Sequence, residues 1–168
     1  MILALISPLA INFTVTTATA TTNDLGEVEI RDYEGQDLSS ITDSFRENSI
    51  KGPQYIDEEN YTLTISGLVN SELQLTYAEV VNGYHNFEKV VTLNCVEGWS
   101  VTILWKGVLV SELIEAAGAN PNANTVIFYA YDGYSTSLPL DYIVDNDILM
   151  AYKMNNVTLP PERGFPFE

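Results

Sequence analysis

The single cysteine of the chain, Cys95, is the residue whose chemistry most needs an explanation. It follows a β-branched run, Lys89 to Asn94, and precedes Gly98, which predicts a strand that delivers the thiol to a loop. A thiolate at such a junction is a soft metal ligand or a nucleophile, whereas many cysteines are simply small buried hydrophobes. All three roles stay open on the residue and its neighbours alone.

The only histidine gives little support to nucleophilic catalysis. His85 precedes Cys95 in the polar stretch Asn82 to Asn86, which is typical of a surface turn. A Cys–His pair stays open as a hypothesis, although no local signature of a cysteine protease surrounds either residue.

A calcium site has no support in the acidic residues near the end of the chain. Asp141, Asp145 and Asp147 lack the loop of a calcium site, so we interpret them as solvated surface.

Two tryptophans lie close to the cysteine in the sequence. Trp99 and Trp105 flank a predicted strand that begins directly after the thiol-bearing loop. Large aromatic side chains are usually part of a core, but two of them so near the only thiol predict a walled pocket. No G-x-x-x-x-G-K, G-x-G-x-x-G or G-x-S-x-G occurs, so nucleotide binding and α/β-hydrolase chemistry have no local support.

The elements that must position these residues predict an α+β domain. Tyr61 to Ser66 alternates apolar and polar residues, which predicts a half-buried strand. Thr76 and Glu79 form a capping box before a short helix over Tyr77 to Val81. Val110 to Ala117 has the spacing of an amphipathic helix that ends at Gly118.

Later elements complete this prediction. They are strands over 125–131 and 134–138 joined by a type I′ turn at Asp132-Gly133, a short helix over 140–144, and strands over 148–154 and 157–159 joined by Asn155-Asn156. Several strands, few helices and no alternation of strand and helix favour an α+β fold over a parallel α/β fold.

Charge and composition exclude several classes of function. Seven Lys and Arg against 23 Asp and Glu give a net charge of −16, so nucleic acid is excluded as a partner. One cysteine excludes an internal disulfide, a four-cysteine zinc site and a conventional iron–sulfur cluster supplied by this chain. The 46% hydrophobic content of the 168 residues indicates a globular domain with a sizeable core.

Three regions follow one another along the chain. Residues 1–22 have an apolar run and Ala18-Thr19-Ala20 but no basic residue before Arg31, so they are an atypical secretory leader, the remnant of a longer one, or an apolar strand. A leader predicts an extracytoplasmic protein. The apolar run is too short for a membrane-spanning helix. Residues 23–60 are acidic and irregular, with room for one helical turn, and wrap the domain through Ile41, Phe45 and Ile50. Residues 61–168 form the main domain.

An ordered series of motifs, taken together, resembles the sulfite oxidase family of molybdopterin-dependent oxidoreductases. Its centre is Cys95-Val96-Glu97-Gly98-Trp99, followed by Trp105-Lys106-Gly107 and the helix that ends at Ala117-Gly118. Tyr61 to Val69 is similar to the family's entry strand, and Asp132 to Leu140 to a later segment. The resemblance covers residues 45–168, and the order of the motifs is more specific than any one of them.

The resemblance implies a cofactor, a reaction and a set of site residues. It implies a β-rich molybdopterin-binding domain in which Cys95 ligates molybdenum and is the catalytic residue. Asn48, in Phe45 to Asn48, and the hydroxyls of Ser135 and Ser137 would contact the pterin. The activity implied is a two-electron oxygen-atom transfer on a sulfur oxyanion or an S- or N-oxide, with a separate electron-transfer partner.

The sequence departs from the family pattern near its end. After the Gly164-x-Pro166 stretch, where family members have an arginine that grips the pterin phosphate, this chain has Glu168. We therefore expect a domain truncated at the C-terminus, in which Arg163, Lys106 or Arg46 supplies the compensating charge. The alternative is a relative without the cofactor that acts as a binding or structural module.

Overall fold

The computed structural model describes residues 2–4, 10–11, 27–42 and 49–168 of the chain. The strands are β1 Ile2–Ala4, β2 Ala10–Ile11, β3 Asp32–Tyr33, β4 Gln36–Asp37, β5 Thr62–Ser66, β6 Leu73–Thr76, β7 Phe87–Asn94, β8 Ser100–Leu109, β9 Thr125–Tyr129, β10 Ser135–Pro139, β11 Leu149–Met154 and β12 Val157–Thr158. The α-helices are α1 Tyr77–Gly83, α2 Val110–Ala117 and α3 Leu140–Asp145, and 3₁₀ turns cover Glu58–Asn60 and Pro161–Arg163.

Two sheets provide most of the architecture. A six-stranded sheet has the order β10-β9-β1-β5-β6, with β2 also paired to β9, and a four-stranded sheet has the order β12-β11-β8-β7. β3 and β4 form a separate small hairpin. One core cluster joins residues of both sheets, with Leu63 and Ile65 from β5 and Val101 and Ile103 from β8 among its members. This strand-rich arrangement, with three short helices among the described residues, confirms the α+β prediction.

Elements whose signals are local form where the sequence predicts them. β5 begins one residue after Tyr61, and its central residues are buried. At the start of α1, Thr76 Oγ1 accepts a hydrogen bond from Glu79 N, and Glu79 Oε2 accepts one from Thr76 N at 2.8 Å. The bonds from Thr76 to the Glu79 carboxylate hold the pKa of Glu79 below its usual range. The predicted capping box and strand are confirmed.

The segment that precedes the main domain agrees with the prediction in part, because it has one helical turn and Ile41 packs against the core. It contains the β3–β4 hairpin and a 3₁₀ turn at Glu58–Asn60. Ile50 is 61% exposed and is not an anchor, whereas Leu38 and Ile56 are buried. Ile50 is held through its backbone instead of its side chain, which a hydrophobic pattern cannot indicate. The predicted anchor Phe45 lies outside the described residues.

A buried asparagine ties residues 27–42 to the four-stranded sheet. Asn155 Oδ1 accepts a hydrogen bond from Leu104 N at 3.0 Å, and its Nδ2 donates to Ser39 O at 2.8 Å. Asn155 and Asn156 have φ angles of 47° and 68°, so they form the predicted two-residue turn between β11 and β12. Ser39 N also donates to Thr102 O on β8, so this segment lies along the same strand that follows the cysteine.

Two short strands come from the region that resembles a leader. β1 lies between β5 and β9 in the six-stranded sheet, parallel to the first and antiparallel to the second. The rest of residues 1–22 lies outside the described residues, and the leader stays a prediction. Within the part of the chain that the structure describes, no helix has the length and apolar character needed to cross a membrane.

Candidate functional site

Cys95 opens a tight turn that joins β7 to β8. Its N–H donates to Trp99 O at 2.8 Å, and its carbonyl oxygen accepts from Gly98 N at 3.0 Å. Gly98 has a φ of 88°, so the loop is a three-residue turn whose last residue is left-handed. The thiol is half-buried, while the next residue, Val96, is fully exposed. The predicted position of the cysteine, between a strand and a Gly-containing loop, is confirmed.

The turn between β9 and β10 has the same hydrogen-bond pattern. Ala130 N donates to Tyr134 O at 2.8 Å, Ala130 O accepts from Gly133 N at 3.1 Å, and Gly133 has a φ of 96°. The predicted type I′ turn at Asp132-Gly133 is wrong, because only Gly133 of the pair has a positive φ. The last hydrogen-bonded pair of the hairpin is Ala130 and Tyr134, so the loop consists of the three residues 131–133.

Asp132 is a buried carboxylate that sequence reasoning treated only as a turn residue. It is 6% exposed. Its Oδ1 accepts a hydrogen bond from Tyr134 N at 2.8 Å, and its Oδ2 accepts one from Ile50 N at 3.2 Å. The second bond fixes the chain at Ile50, directly after the segment that resembles the pterin-contacting one. The Asp-Gly dipeptide was the signal for a turn, but nothing local marks the contact with Ile50.

The two predicted serines lie on β10, at the edge of the six-stranded sheet. Ser135 pairs with Tyr129 and Ser137 with Ile127, so the two side chains share one face of the strand. Both serines are exposed, and among the described residues neither hydroxyl has a hydrogen-bond partner. They are available as donors to a ligand.

A groove of about 250 Å³ runs along one face of β7. Lys89, Val91 and Leu93 line it from β7, with Trp105 from β8 and Glu168 on the opposite side. Neither Trp99 nor Cys95 lines this groove, and Trp99 Nε1 donates to Glu97 Oε2 instead. In the described part of the chain, the two tryptophans therefore do not enclose the thiol in one pocket as predicted.

Glu168, an exposed residue, lines this groove. Its backbone exchanges two hydrogen bonds of 2.9 Å with Ala151 on β11. Partial desolvation in the groove raises the pKa of the Glu168 carboxyl, and the charge of Arg163 opposes that rise.

Contacts do not bring all predicted site residues together. Cys95 belongs to the four-stranded sheet and the serines to the six-stranded sheet, and no described hydrogen bond links them. Ser39 N donates to Thr102 O on β8, and Ile50 N donates to Asp132 Oδ2 in the turn between β9 and β10. The predicted pterin contact Asn48 lies between Ser39 and Ile50 in the sequence and outside the described residues.

The alternative partners weighed for Cys95 are engaged elsewhere. His85 Nδ1 lies 3.2 Å from Glu112 Oε1, and His85 N donates to Glu112 Oε2, so the exposed histidine is engaged by Glu112. Among the described residues, no three of His, Cys, Asp and Glu are grouped to hold a metal ion by themselves. A single thiolate suits a metal whose other ligands come with an organic cofactor.

Comparison with known proteins assigns this architecture. The family model described as the oxidoreductase molybdopterin binding domain matches residues 50–168. The chain belongs to that family. The match includes the cysteine turn, the Asp132 turn and both serines. The sulfite oxidase resemblance predicted from the motifs is confirmed.

Relatives of the molybdopterin-binding chain carry oxidoreductase names. It is 36% identical over 115 residues to the uncharacterized oxidoreductase YuiH of Bacillus subtilis, with 68% of this chain and 58% of that protein covered. It is 29% identical to the putative protein-methionine-sulfoxide reductase subunit YedZ1 of Azospira oryzae, covering 77% of this chain and 50% of the relative. The chain thus spans about half the length of these relatives.

The fold of the domain is shared with a solved enzyme. The sulfane dehydrogenase SoxCD from Paracoccus pantotrophus matches with a TM-score of 0.63 at 20% identity, covering 69% of this chain and 34% of that one. This likeness supports the fold of the molybdopterin-binding domain. The donor set present, a half-buried thiol in a rigid turn and unpartnered serine hydroxyls, fits a molybdenum–pterin group.

Proposed function

We propose that this chain is the cofactor-binding domain of a molybdenum oxidoreductase that catalyses two-electron oxygen-atom transfer. The observation that carries the proposal is the half-buried thiol of Cys95, held at the start of the Cys95-to-Trp99 turn in a chain of the molybdopterin-binding family. The bound cofactor supplies the redox chemistry, because molybdenum on a pterin dithiolene exchanges two electrons and an oxygen atom. The protein supplies a thiolate ligand to the metal, orients the cofactor and provides the groups that surround it.

Each predicted site residue has a distinct role in this proposal. Cys95 provides the thiolate that ligates molybdenum, and the two backbone hydrogen bonds of its turn fix where the sulfur lies. Ser135 and Ser137 donate their hydroxyls to the pterin, since both are exposed on one face of β10. Asn48 contributes a further hydrogen bond to the pterin.

An S-oxide or N-oxide is the substrate class we favour over a sulfur oxyanion. An S-oxide takes up two electrons and two protons and leaves as the sulfide and water. The chain carries a net charge of −16, and an anion such as sulfite would enter against that field. A relative named as a putative methionine-sulfoxide reductase subunit supports the same class.

In this proposal a separate redox protein supplies or accepts the two electrons. This chain acts outside the cytoplasm. A redox partner is part of the proposal because two electrons must be supplied or removed in each turnover. The relative YedZ1 is named as a subunit, which supports an assembly of more than one chain. The leader-like residues 1–22 are the support for export.

Metal content tests the proposal directly. The protein is produced in a host that makes the cofactor, and molybdenum per chain is measured by elemental mass spectrometry for wild type, Cys95→Ser and Val96→Ser. We expect near-stoichiometric metal in wild type and in Val96→Ser, because residue 96 is exposed in the same turn. Cys95→Ser should lose the metal while its circular dichroism stays that of a folded chain.

The contrary results favour the second candidate. A folded wild-type protein without molybdenum, or a Cys95→Ser variant that keeps it, would remove the enzyme proposal. The chain would then be a member of the family that acts as a binding or structural module. Glu168, at the position where family members place an arginine, is the observation on this side.

A further inference from the structure

Cationic side chains are scarce in this chain, and nearly all of those among the described residues have a hydrogen-bond or ion-pair partner. Of seven Lys and Arg, Arg46 lies outside the described residues. Five others have acceptors: Arg31 with Leu38 O, Lys89 with Asn146 O, Lys106 with Glu88, Lys153 with Glu27, and Arg163 with Ile41 O and Glu162 O. Lys106 and Arg163, predicted to compensate for Glu168, are therefore occupied.

Lys51 is the exception among the described cations. Its side chain is exposed and has neither a hydrogen bond nor an ion pair with any described residue. Its position is nevertheless defined, because a methyl group placed on Gly133 would lie 3.8 Å from Lys51 Nζ. The ammonium group thus stands beside the Asp132–Gly133 turn, two residues before Ser135.

The backbone on both sides of Lys51 is held while its side chain is left available. Ile50 N donates to Asp132 Oδ2 at 3.2 Å, and Gln54 Nε2 donates to Gly52 O at 2.7 Å. Both carboxylate oxygens of Asp132 accept hydrogen bonds from backbone N–H groups, and Asp132 forms no ion pair with Lys51 within the described structure. The turn therefore holds a cation beside Gly133, two residues before Ser135 in the sequence, without neutralising it.

We infer that Lys51 binds the phosphate of the molybdenum–pterin cofactor. This inference rests on the proposed function. A phosphate monoester is a strong acceptor for an ammonium donor, and such charge-assisted bonds are the strong class of protein hydrogen bonds. In a chain of charge −16, this uncommitted lysine offers a positive charge to an anionic group at the turn that leads into β10, the strand that carries the exposed Ser135 and Ser137.

Cofactor retention tests the inference without any assay of turnover. Wild type, Lys51→Met, Lys51→Arg and the control Lys106→Met are purified from a cofactor-producing host, and pterin and molybdenum per chain are measured after extended dialysis at low and high salt. We expect Lys51→Met to bind the cofactor about tenfold more weakly or worse, as for loss of one charge-assisted bond. Lys51→Arg should restore most of the retention, and Lys106→Met should match wild type.

The outcomes separate this inference from the proposed function. If wild type holds pterin and Lys51→Met holds it equally well, or if Lys106→Met loses as much, the role of Lys51 is overturned and the proposed function stands. If folded wild type holds no pterin, both fall together. Unchanged melting temperatures of the cofactor-free variants confirm that the exposed lysine has no structural role.

Discussion

The turns that begin at Cys95 and at Ala130 share one backbone conformation and differ in their surroundings. Both close with a hydrogen bond to a glycine of left-handed conformation and end on an aromatic residue. The first presents the half-buried thiol of Cys95, whereas the second buries Asp132 and attaches Ile50. The same turn thus presents a reactive group in one sheet and anchors a distant segment in the other.

The largest expected effect comes from removing the buried carboxylate. Asp132→Ala leaves the N–H groups of Ile50 and Tyr134 without their acceptor, and we expect the free energy of unfolding to fall by about 2–4 kcal/mol. Urea unfolding of the cofactor-free chain measures it. Asp132→Asn, which keeps one acceptor oxygen, should lose less. An Asp132→Ala variant as stable as wild type would show that the second turn is no anchor.

The two glycines should respond alike. Gly98→Ala and Gly133→Ala each force an alanine into a left-handed conformation, which costs about 1–2 kcal/mol. Neither added methyl group meets a close neighbour, since Gly98 faces open space and Gly133 has Lys51 Nζ at 3.8 Å. Thermal unfolding of both variants measures these losses. If the two losses in free energy of unfolding differed by more than about 1 kcal/mol, a shared backbone conformation would be contradicted.

The smallest effect is expected at the cysteine. Cys95→Ala should change the stability of the cofactor-free chain by no more than about 0.5 kcal/mol, because the side chain is half-buried and its turn is held by backbone atoms. Chemical denaturation beside the Asp132→Ala variant provides the comparison. A large loss at Cys95 would mean that the thiol is a packed core residue rather than a presented one.

The sequence predicted those elements whose causes lie close together along the chain. The alternation in β5, the Thr76–Glu79 capping box and the apolar face of α2 each depend on residues within one strand or one helical turn. The position of Cys95 after β7 belongs to the same class. The ordered motifs added the family, which no single element could indicate.

The missed features depend on contacts between distant parts of the chain. Asp132 and Ile50 are 82 residues apart, and only the folded sheet brings them together. The type of the second turn follows from the register of β9 with β10, because inward-facing Val126 and Phe128 fix which residues pair. An Asp-Gly pair suits two-residue and three-residue loops alike, so the dipeptide could not decide between them.

The strand that carries the cysteine turn also forms an edge of the described four-stranded sheet. β7 pairs only with β8 there, so one side of its eight residues presents unpaired backbone groups. Such edges promote association between molecules, and Lys89 in the strand together with the net charge of −16 opposes it. At the sequence pI of about 4.1 that repulsion vanishes, so mild acid should precipitate this protein through edge-to-edge pairing.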